Sequence, residues 1–474
     1  MQKKIIILCT VILIVVMEAL FALIGALMPG PFTGTVTDAE TNEPIANVSV
    51  SDGRNVVKTD ENGAYTLPGY SKSRFVTVTT PAGYWTENYY IPVTKDRETY
   101  DFRLDKSEKT AQADHSFLQI SDSEIGAKGV GAWIEHVRDT VKETDPAFLI
   151  HTGDICYEDG LKQHIKDMNT ENMGVPVRYV IGNHDYVAGK YGEALFESIY
   201  GPVWYSFDVG NVHYVVTPFQ TGADYASGYN KNDRWKWLEN DLANVEPGMK
   251  VVMFNHTKAP SDDYVLSYGL KKLDLKEHDL IAWVYGHYHY NYITETDGVL
   301  NISTGRPDCG GIDSSASGSR LISITANGQV STQMYYYDFE QPQAPDGANW
   351  SAQLEGNLLF ADPLAVGNQI FAATVDDDYP RTCGVYSLNA ADGSVNWFFK
   401  TLNSVKNKLV YANGKIVAQD CEGTVYCLNA ETGALLWQKK VDLGGSLGTS
   451  SGLCADGSTV YALSLIHISE PTRP

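Results

Sequence analysis

The stretch that decides the fold is VRYVIGNHD, residues 177–185. A short β-branched run that stops at a glycine predicts a strand that presents the following side chains at a sheet edge. The side chains presented are those of Asn183, His184 and Asp185. An Asn amide oxygen can ligate a hard metal ion, and a His beside a carboxylate can carry protons. Taken alone, this stretch also fits an ordinary solvated turn.

The same pattern of an apolar run followed by polar donors recurs at four other places in the chain. The four further blocks are Asp122-x-Glu124, Gly153-Asp154, His256 and Gly286-His287-x-His289. Open α/β sheets place their sites at the carboxyl ends of strands. Five such blocks are hard to explain as separate solvated loops, and they predict one shared site.

Strands and helices alternate around these blocks. Helices are predicted where Val130, Trp133, Val137 and Val141 share one face, and over residues 233–245. Residues 204–216 form a predicted hairpin that turns at Gly210-Asn211. Further strands are predicted over residues 117–120, 147–150, 177–181, 251–254 and 280–285. This order predicts an α/β layered domain over residues 115–339.

The donor set suits two divalent cations. Ions about 4 Å apart need one bridging carboxylate, with nitrogen and oxygen ligands on either side. Imidazole with carboxylate favours Mn or Fe, with Zn as an alternative, and the lack of thiolate argues against a structural zinc site. A hydroxide that bridges such ions attacks phosphorus in line, and a nearby His can protonate the leaving alkoxide.

The five blocks, in this order, resemble the motifs of calcineurin-like metallophosphoesterases over about residues 115–335. The resemblance implies a four-layer α/β/β/α sandwich that hydrolyses a phosphorylated small molecule. It also implies a role for each matching residue. Asp122 and His289 would bind the first metal ion, Asp154 would bridge, Asn183, His256 and His287 would bind the second, and His184 would be the proton donor, oriented by Asp185.

Two positions set this chain apart from a simple match. The family usually has Asp-x-His in the first block, where this chain has Glu124. Glutamate is long enough to ligate, which would favour Mn or Fe over Zn, but it could also fail to reach the ion. Tyr157 has the Asp-x-x-Tyr spacing by which purple acid phosphatases bring a tyrosinate to ferric iron, and its alternative role is to pack beside the site. The histidines outside the motifs, interpreted as surface or satisfied polar residues, are His136, His164, His213 and His278.

Composition and the N-terminal residues predict where the protein acts. The chain has 474 residues and a formal net charge of −22, which argues against nucleic acid as a partner. Two lysines and an apolar run predict a signal anchor, or a cleaved signal peptide, within residues 1–31. Either would make the protein extracytoplasmic, and the anchor would hold it at the membrane. The sparse cysteines leave open whether Cys421 pairs with Cys427 or both are buried thiols.

A β-rich segment precedes the α/β domain. Residues 32–110 alternate apolar and polar residues between turn signals such as Asp52-Gly53. This predicts a small antiparallel β-sandwich. The segment resembles carboxypeptidase-regulatory-like modules, and we interpret it as a spacer or docking module.

A second β-rich segment follows a predicted linker at residues 340–349. YSLNAADGSVNW at 386–397 recurs forty positions on as YCLNAETGALLW at 426–437. Such a repeat predicts β-propeller blades over residues 350–462. They resemble pyrroloquinoline-quinone-type repeats, which does not imply the cofactor. Since a ring needs at least about four blades, we expect a truncated propeller, and residues 463–474, which resemble a translated sequencing adaptor, are expected to be a non-native tail.

Two hypotheses follow from the sequence. The first is an exported, metal-dependent phosphoesterase. The second is a cell-surface binding protein in which Glu124 has spoiled the metal site and the propeller binds a protein or glycan partner. The number of tightly held metal ions distinguishes them.

Overall fold

The computed structural model describes residues 30–125, 130–187, 191–219, 227–268, 270–307, 317–337, 344–356, 358, 362–441 and 452–462. The predicted signal segment, apart from its last two residues, and the predicted tail lie outside these ranges. No helix within them is both long and apolar enough to cross a membrane.

The N-terminal module is a sandwich of two four-stranded sheets. Its strands are β1 (Phe32–Asp38), β2 (Ser49–Ser51), β3 (Val56–Lys58), β4 (Ala64–Leu67), β5 (Phe75–Val78), β6 (Tyr84–Trp85), β7 (Tyr90–Pro92) and β8 (Phe102–Lys106). The sheet orders are β4-β1-β8-β6 and β3-β2-β5-β7. Alternate residues of β1 are buried, as expected for a strand with one face on a core. The expectation of a wholly antiparallel sandwich was wrong, because β8 returns beside β1 after a long crossover and pairs with it in parallel.

The α/β domain contains thirteen strands and five α-helices among the described residues. Its strands are β9 (His115–Ile120), β10 (Phe148–His151), β11 (Val177–Tyr179), β12 (Tyr205–Val209), β13 (Val212–Val216), β14 (Lys250–Phe254), β15 (Val265–Tyr268), β16 (Lys271–Asp274), β17 (Leu280–Tyr285), β18 (Tyr292–Thr296), β19 (Val299–Ser303), β20 (Gly318–Ile324) and β21 (Val330–Tyr336). Its helices are α1 (Val130–Thr144), α2 (Tyr157–Asp167), α3 (Thr170–Met173), α4 (Ala194–Tyr200) and α5 (Lys231–Leu242), with 3-10 turns at Asn183–Asp185 and Leu275–His278.

Two large sheets form the centre of this domain. Their orders are β11-β10-β9-β20-β21 and β12-β13-β14-β17-β19-β18. Between the sheets, Phe117 stacks on Phe148 at 4.9 Å and meets Phe254 edge-on at 5.4 Å. Helix α1 covers the first sheet with its predicted apolar face, and Trp235 and Trp237 of α5 belong to the core on the second sheet. The result is the expected four-layer α/β/β/α sandwich.

Strand direction explains why the five sequence blocks converge. Strands β9, β10 and β11 run parallel to one another. Strands β13, β14, β17 and β19 also run parallel to one another. Parallel strands end at the same edge of a sheet, so the loops that follow β9, β10 and β11 share one edge of the first sheet and those that follow β14 and β17 share one edge of the second.

The C-terminal repeats form two four-stranded antiparallel blades and a hairpin among the described residues. The first blade has β22 (Leu364–Val366), β23 (Gln369–Ala373), β24 (Gly384–Asn389) and β25 (Val395–Lys400). The second has β26 (Val410–Ala412), β27 (Lys415–Gln419), β28 (Thr424–Asn429) and β29 (Leu435–Lys440), and the hairpin has β30 (Leu453–Asp456) and β31 (Thr459–Ala462). The indole N–H of Trp397 donates to the Ala430 carbonyl at 3.1 Å and so links the two blades. Cys421 and Cys427 are buried free thiols rather than a disulfide.

Both flanking modules pack on the α/β domain. On the N-terminal side, the Arg178 guanidinium lies 3.7 Å from the Trp85 ring. On the C-terminal side, the Tyr379 hydroxyl donates to Glu295 at 2.8 Å, and Tyr292 donates to Glu422. The N-terminal module is therefore docked against the domain that holds the site.

Candidate metal centre

Four of the five strand ends supply two overlapping groups of metal donors. Asp154, His256 and His287 form one group, and Asp122, Asp154 and His289 form the other; within each group the donor atoms lie within 4.8 Å of one another. Asp154 belongs to both groups. This is the geometry required of a carboxylate that bridges two ions.

The group around His256 is buried and closely spaced. His256 Nε2 lies 3.1 Å from Asp154 Oδ2 and 3.2 Å from His287 Nδ1. On the other side of the ring, His256 Nδ1 is 2.8 Å from the carbonyl oxygen of Thr152. That carbonyl accepts a hydrogen bond from Nδ1–H, so Nε2 is the nitrogen directed at the donor cluster, the usual arrangement for a metal-binding His.

The group around Asp122 is slightly more open. His289 Nε2 lies 3.4 Å from Asp122 Oδ1, and the His289 side chain is about a quarter exposed. Asp122 also accepts the backbone N–H of His287 at 3.0 Å. The first and last sequence blocks are thus joined directly.

Asn183 and His184 occupy the 3-10 turn after β11. The Asn183 Oδ1 atom is buried and accepts no hydrogen bond among the described residues. The His184 backbone N–H donates to Asp154 Oδ1 at 2.9 Å, whereas His184 Nε2 is 4.0 Å from Asp154 Oδ2. With 37% of its side chain exposed, His184 faces solvent beside the cluster, where a proton donor to a leaving group would stand.

The Asp185 carboxylate has different hydrogen-bond partners from the predicted one. We expected it to orient the His184 imidazole, but no hydrogen bond joins the two side chains in the described part of the chain. Its carboxylate instead accepts three backbone N–H groups, from Gly182 at 2.8 Å, Asp154 at 3.0 Å and Cys156 at 2.8 Å. A carboxylate that is fully buried satisfies its acceptors with the nearest donors, and here these belong to the backbone of the two adjacent turns.

The structure also shows the surroundings of Glu124 and Tyr157, the two positions that set this chain apart. Glu124 Oε2 accepts a hydrogen bond from Arg306 Nη2 at 2.7 Å, and Glu124 belongs to neither donor group. Tyr157 is 59% exposed. Its ring centroid lies 5.6 Å from that of His184, which agrees with packing beside the site.

Glycines and strained backbone hold the donors in place. A Cβ on Gly182 would lie 2.2 Å from both the backbone nitrogen and Oδ1 of Asp154, and one on Gly286 would lie 1.8 Å from Ser121 Oγ. Several donors occupy the left-handed region, at φ values of 50° for Asp122, 55° for Asp154 and 56° for His289. Non-glycine residues adopt this conformation at a cost of about 1–2 kcal/mol each and do so most often at functional sites.

The electrostatics are those of a cation site. Burial opposes the charge of His256, but the carboxylates of Asp154 and Asp122 outweigh it and raise the pKa of His256 to about 9. Burial raises the pKa of Asp154, yet His256 reverses this and the net shift is downward. Burial and the surrounding carboxylates raise the pKa of the nearby Cys156 thiol, which disfavours the thiolate, and Cys156 belongs to neither donor group. Nitrogen and oxygen donors, with the orphaned Asn183 oxygen beside them, therefore fit Mn, Fe or Zn.

Two contributors to the site were missed by the sequence reasoning. Arg306 follows β19 by three residues, so the strand-end rule applied to a sixth strand would have found it. His151 is buried beneath the site, where its Nε2 contacts Ser123 Oγ at 2.7 Å and its Nδ1 accepts the Gly153 N–H at 3.2 Å. It ties the first two blocks together.

The histidines outside the motifs are mostly satisfied polar residues. His213 is buried between Asp208 and Asp241, at 2.7 and 3.0 Å, and His136 Nε2 donates to the Tyr335 carbonyl at 3.1 Å. His164 differs from the expectation, because it is fully buried and its Nε2 has no partner among the described residues.

Family models match three consecutive parts of the chain. Residues 30–107 match the N-terminal domain of calcineurin-like phosphoesterases, residues 115–291 match calcineurin-like phosphoesterase, and residues 326–465 match the outer membrane protein assembly factor BamB. The α/β domain of this chain therefore belongs to the calcineurin-like phosphoesterase family, and a BamB-like repeat region follows it.

Individual relatives are more distant. Tetrathionate hydrolase of Acidithiobacillus ferrooxidans is 25% identical over 132 residues, which cover 24% of this chain and only 26% of that protein. A dimetal phosphatase from Danio rerio is 11% identical, covering 46% of this chain and 95% of that structure, with a TM-score of 0.36. BamB from Moraxella catarrhalis is 18% identical, covering 31% of this chain and 37% of that structure, with a TM-score of 0.20. The family assignment comes from the model matches rather than from these partial likenesses.

Proposed function

We propose that the α/β domain hydrolyses phosphate esters through two divalent cations. The observation that carries the proposal is that Asp154 is shared by two groups of metal donors, assembled from four strand ends. When bound, such a pair of ions polarises the phosphoryl oxygens and supplies a water of lowered pKa as the nucleophile.

Each residue of the site has a separate task in this proposal. Asp154, which both donor groups share, would be common to the two ions, and Asp122 and His289 would hold one of them. His256 and His287 would hold the other through nitrogen, and the buried Asn183 Oδ1, otherwise orphaned, would add an oxygen. His184 stays outside both groups and donates a proton to the departing alkoxide.

Hydrolysis of a chromogenic phosphomonoester and a phosphodiester tests the proposal. The protein is first stripped of metal with a chelator and then supplied separately with Mn²⁺, Fe²⁺ or Zn²⁺. We expect activity to return with at least one metal and to be lost in Asp154→Ala. The matched control is Asp139→Ala, which removes a carboxylate that is 72% exposed. Failure with every metal and ester, in a protein that binds no metal, would contradict the proposal and favour the binding-protein alternative.

We also propose that the enzyme acts outside the cytoplasm on a small phosphorylated substrate, with the propeller available to a protein or glycan. The apolar run at residues 5–28 after two lysines supports export. Protease accessibility of the intact chain in cells, compared with a variant that lacks residues 1–29, measures this directly. Protection of both forms would contradict export.

A further inference from the structure

The two metal-donor groups differ in which ring nitrogen of their histidines carries the proton. His256 is set up to ligate through Nε2, because its Nδ1–H donates to the Thr152 carbonyl at 2.8 Å. His289 has the opposite environment: its Nδ1 lies 3.4 Å from Nη1 of Arg306. Arginine has only donors, so this contact requires a bare Nδ1 and places the proton of the neutral ring on Nε2. That proton faces Asp122 Oδ1, 3.4 Å away.

The Arg306 contact therefore disfavours metal binding by His289. A neutral imidazole that ligates through Nε2 must carry its proton on Nδ1, where it would confront the guanidinium. The Glu124 carboxylate does not relieve the conflict, because it is itself held by Arg306 Nη2 at 2.7 Å.

The two donor groups also differ in the further donors and charges that lie beside them. The Asp154–His256–His287 group has the orphaned Asn183 oxygen as a further donor at its edge. Beside the Asp122–Asp154–His289 group lies Glu124, at the position where the family usually has a His ligand. The guanidinium that holds Glu124 also brings a positive charge close to this second group, which opposes a cation.

We propose that the metal centre is asymmetric, with a resident ion at Asp154–His256–His287 and a weakly held, exchangeable ion at Asp122–His289, because Arg306 engages both Glu124 and His289. This inference rests on the proposed function only in requiring that the centre binds metal. Arg306 is then a positioning residue that sets the affinity of one ion.

Calorimetric titration of the chelator-treated protein with Mn²⁺ tests this asymmetry. Wild type is expected to show two sites whose dissociation constants differ by more than about tenfold. Arg306→Met removes the guanidinium but keeps a side chain of comparable length. It is expected to tighten the weak site by about tenfold or more, since Glu124 is released and a nearby positive charge is lost. The tight site should stay unchanged.

The double variant Glu124→Gln/Arg306→Met is the matched control. It removes both members of the ion pair, so the net charge is that of wild type. The Mn²⁺ affinity of its weak site should be lower than that of Arg306→Met, because the released carboxylate is absent. Lys276→Met removes a partly buried partner of Asp297 outside the site and controls for the substitution itself. Thermal unfolding checks that each variant is folded.

Each outcome has one meaning. Two sites of equal affinity in wild type, or an Arg306→Met variant whose weak site does not tighten, would overturn the asymmetry while leaving the phosphoesterase proposal intact. Binding of no ion at all would overturn the proposed function as well. Two unequal sites that converge in Arg306→Met are the expected result.

Discussion

The carboxylate of Asp185 accepts the backbone N–H of Asp154 at 3.0 Å, so the turn after β11 fixes the residue that is shared by both metal-donor groups. The same carboxylate accepts the N–H groups of Gly182 and Cys156. One buried side chain thereby clamps the loops that follow β10 and β11. The position of the bridging ligand depends on this clamp as much as on the ligand's own strand.

Asp185→Asn should weaken the clamp. An amide offers one acceptor oxygen and turns an NH₂ group toward at least one of the three backbone donors. Leaving a buried donor unpaired costs about 1–3 kcal/mol. We expect a lower midpoint of thermal unfolding and a lower affinity for Mn²⁺, both measured beside Asp139→Asn. Wild-type metal affinity in Asp185→Asn would show that Asp154 is held without this contact.

Gly182→Ala should displace Asp154. The added Cβ would lie 2.2 Å from the backbone nitrogen and from Oδ1 of that residue. A shift of about 1 Å in a catalytic group can cost about 100-fold in rate, so we expect at least that loss of phosphoesterase activity. Gly131→Ala, where nothing lies within 4 Å of the new Cβ, is the control. A crystal structure of Gly182→Ala with Asp154 unmoved would refute the steric argument.

His184→Gln should separate proton donation from metal binding. His184 lies outside both donor groups, so the content of bound metal should not change. Loss of a general acid reduces the rate by about 10²–10⁴. The reduction should be large for an alkyl phosphate and small for p-nitrophenyl phosphate, whose leaving group needs no proton. Equal reductions with both substrates would exclude His184 as the acid.

His164 should make the protein sensitive to acid. Burial lowers the pKa of His164 from an ordinary 6.5 to about 3. The unfolded chain therefore binds a proton that the folded chain refuses, and the free energy of unfolding falls as pH drops from about 6.5 toward about 3, by up to about 1.4 kcal/mol per pH unit. Above pH 6.5, His164 does not make the free energy of unfolding depend on pH.

His164→Gln tests that origin, because glutamine does not titrate. Urea unfolding at about pH 7 and about pH 5 should show a larger loss of stability in wild type than in the variant. Identical losses would assign the acid sensitivity to other groups, of which buried His151 is the nearest, with a ring centroid 5.0 Å from that of His164.

The local elements were predictable because their signals are local. The apolar face of α1 and the hairpin at Gly210-Asn211 depend on spacing within one segment, and both form as expected. The parallel pairing of β1 with β8 was missed because register between distant strands leaves no mark in either strand's own pattern.

For the site, too, local features could be predicted from the sequence and contacts between distant residues could not. Convergence of the five blocks could be predicted, since each follows a strand and parallel strands end at one edge. The hydrogen-bond partners of Asp185 could not be predicted. Three backbone N–H groups compete with the His184 imidazole for its carboxylate, and only the folded turns decide which of these donors are close enough.

The sequence by itself determined the donors and their order: carboxylates, an amide and imidazoles at successive strand ends, in the pattern of a calcineurin-like phosphoesterase. Only the tertiary structure decided how the first block behaves. Glu124 meets Arg306 across 182 residues of chain, because β19 lies beside β17 and ends at the same edge. A charged pair at that separation is set by sheet order and register, which no local pattern encodes. The Glu124 substitution in the first block was therefore visible in the sequence, but its pairing with Arg306 was not.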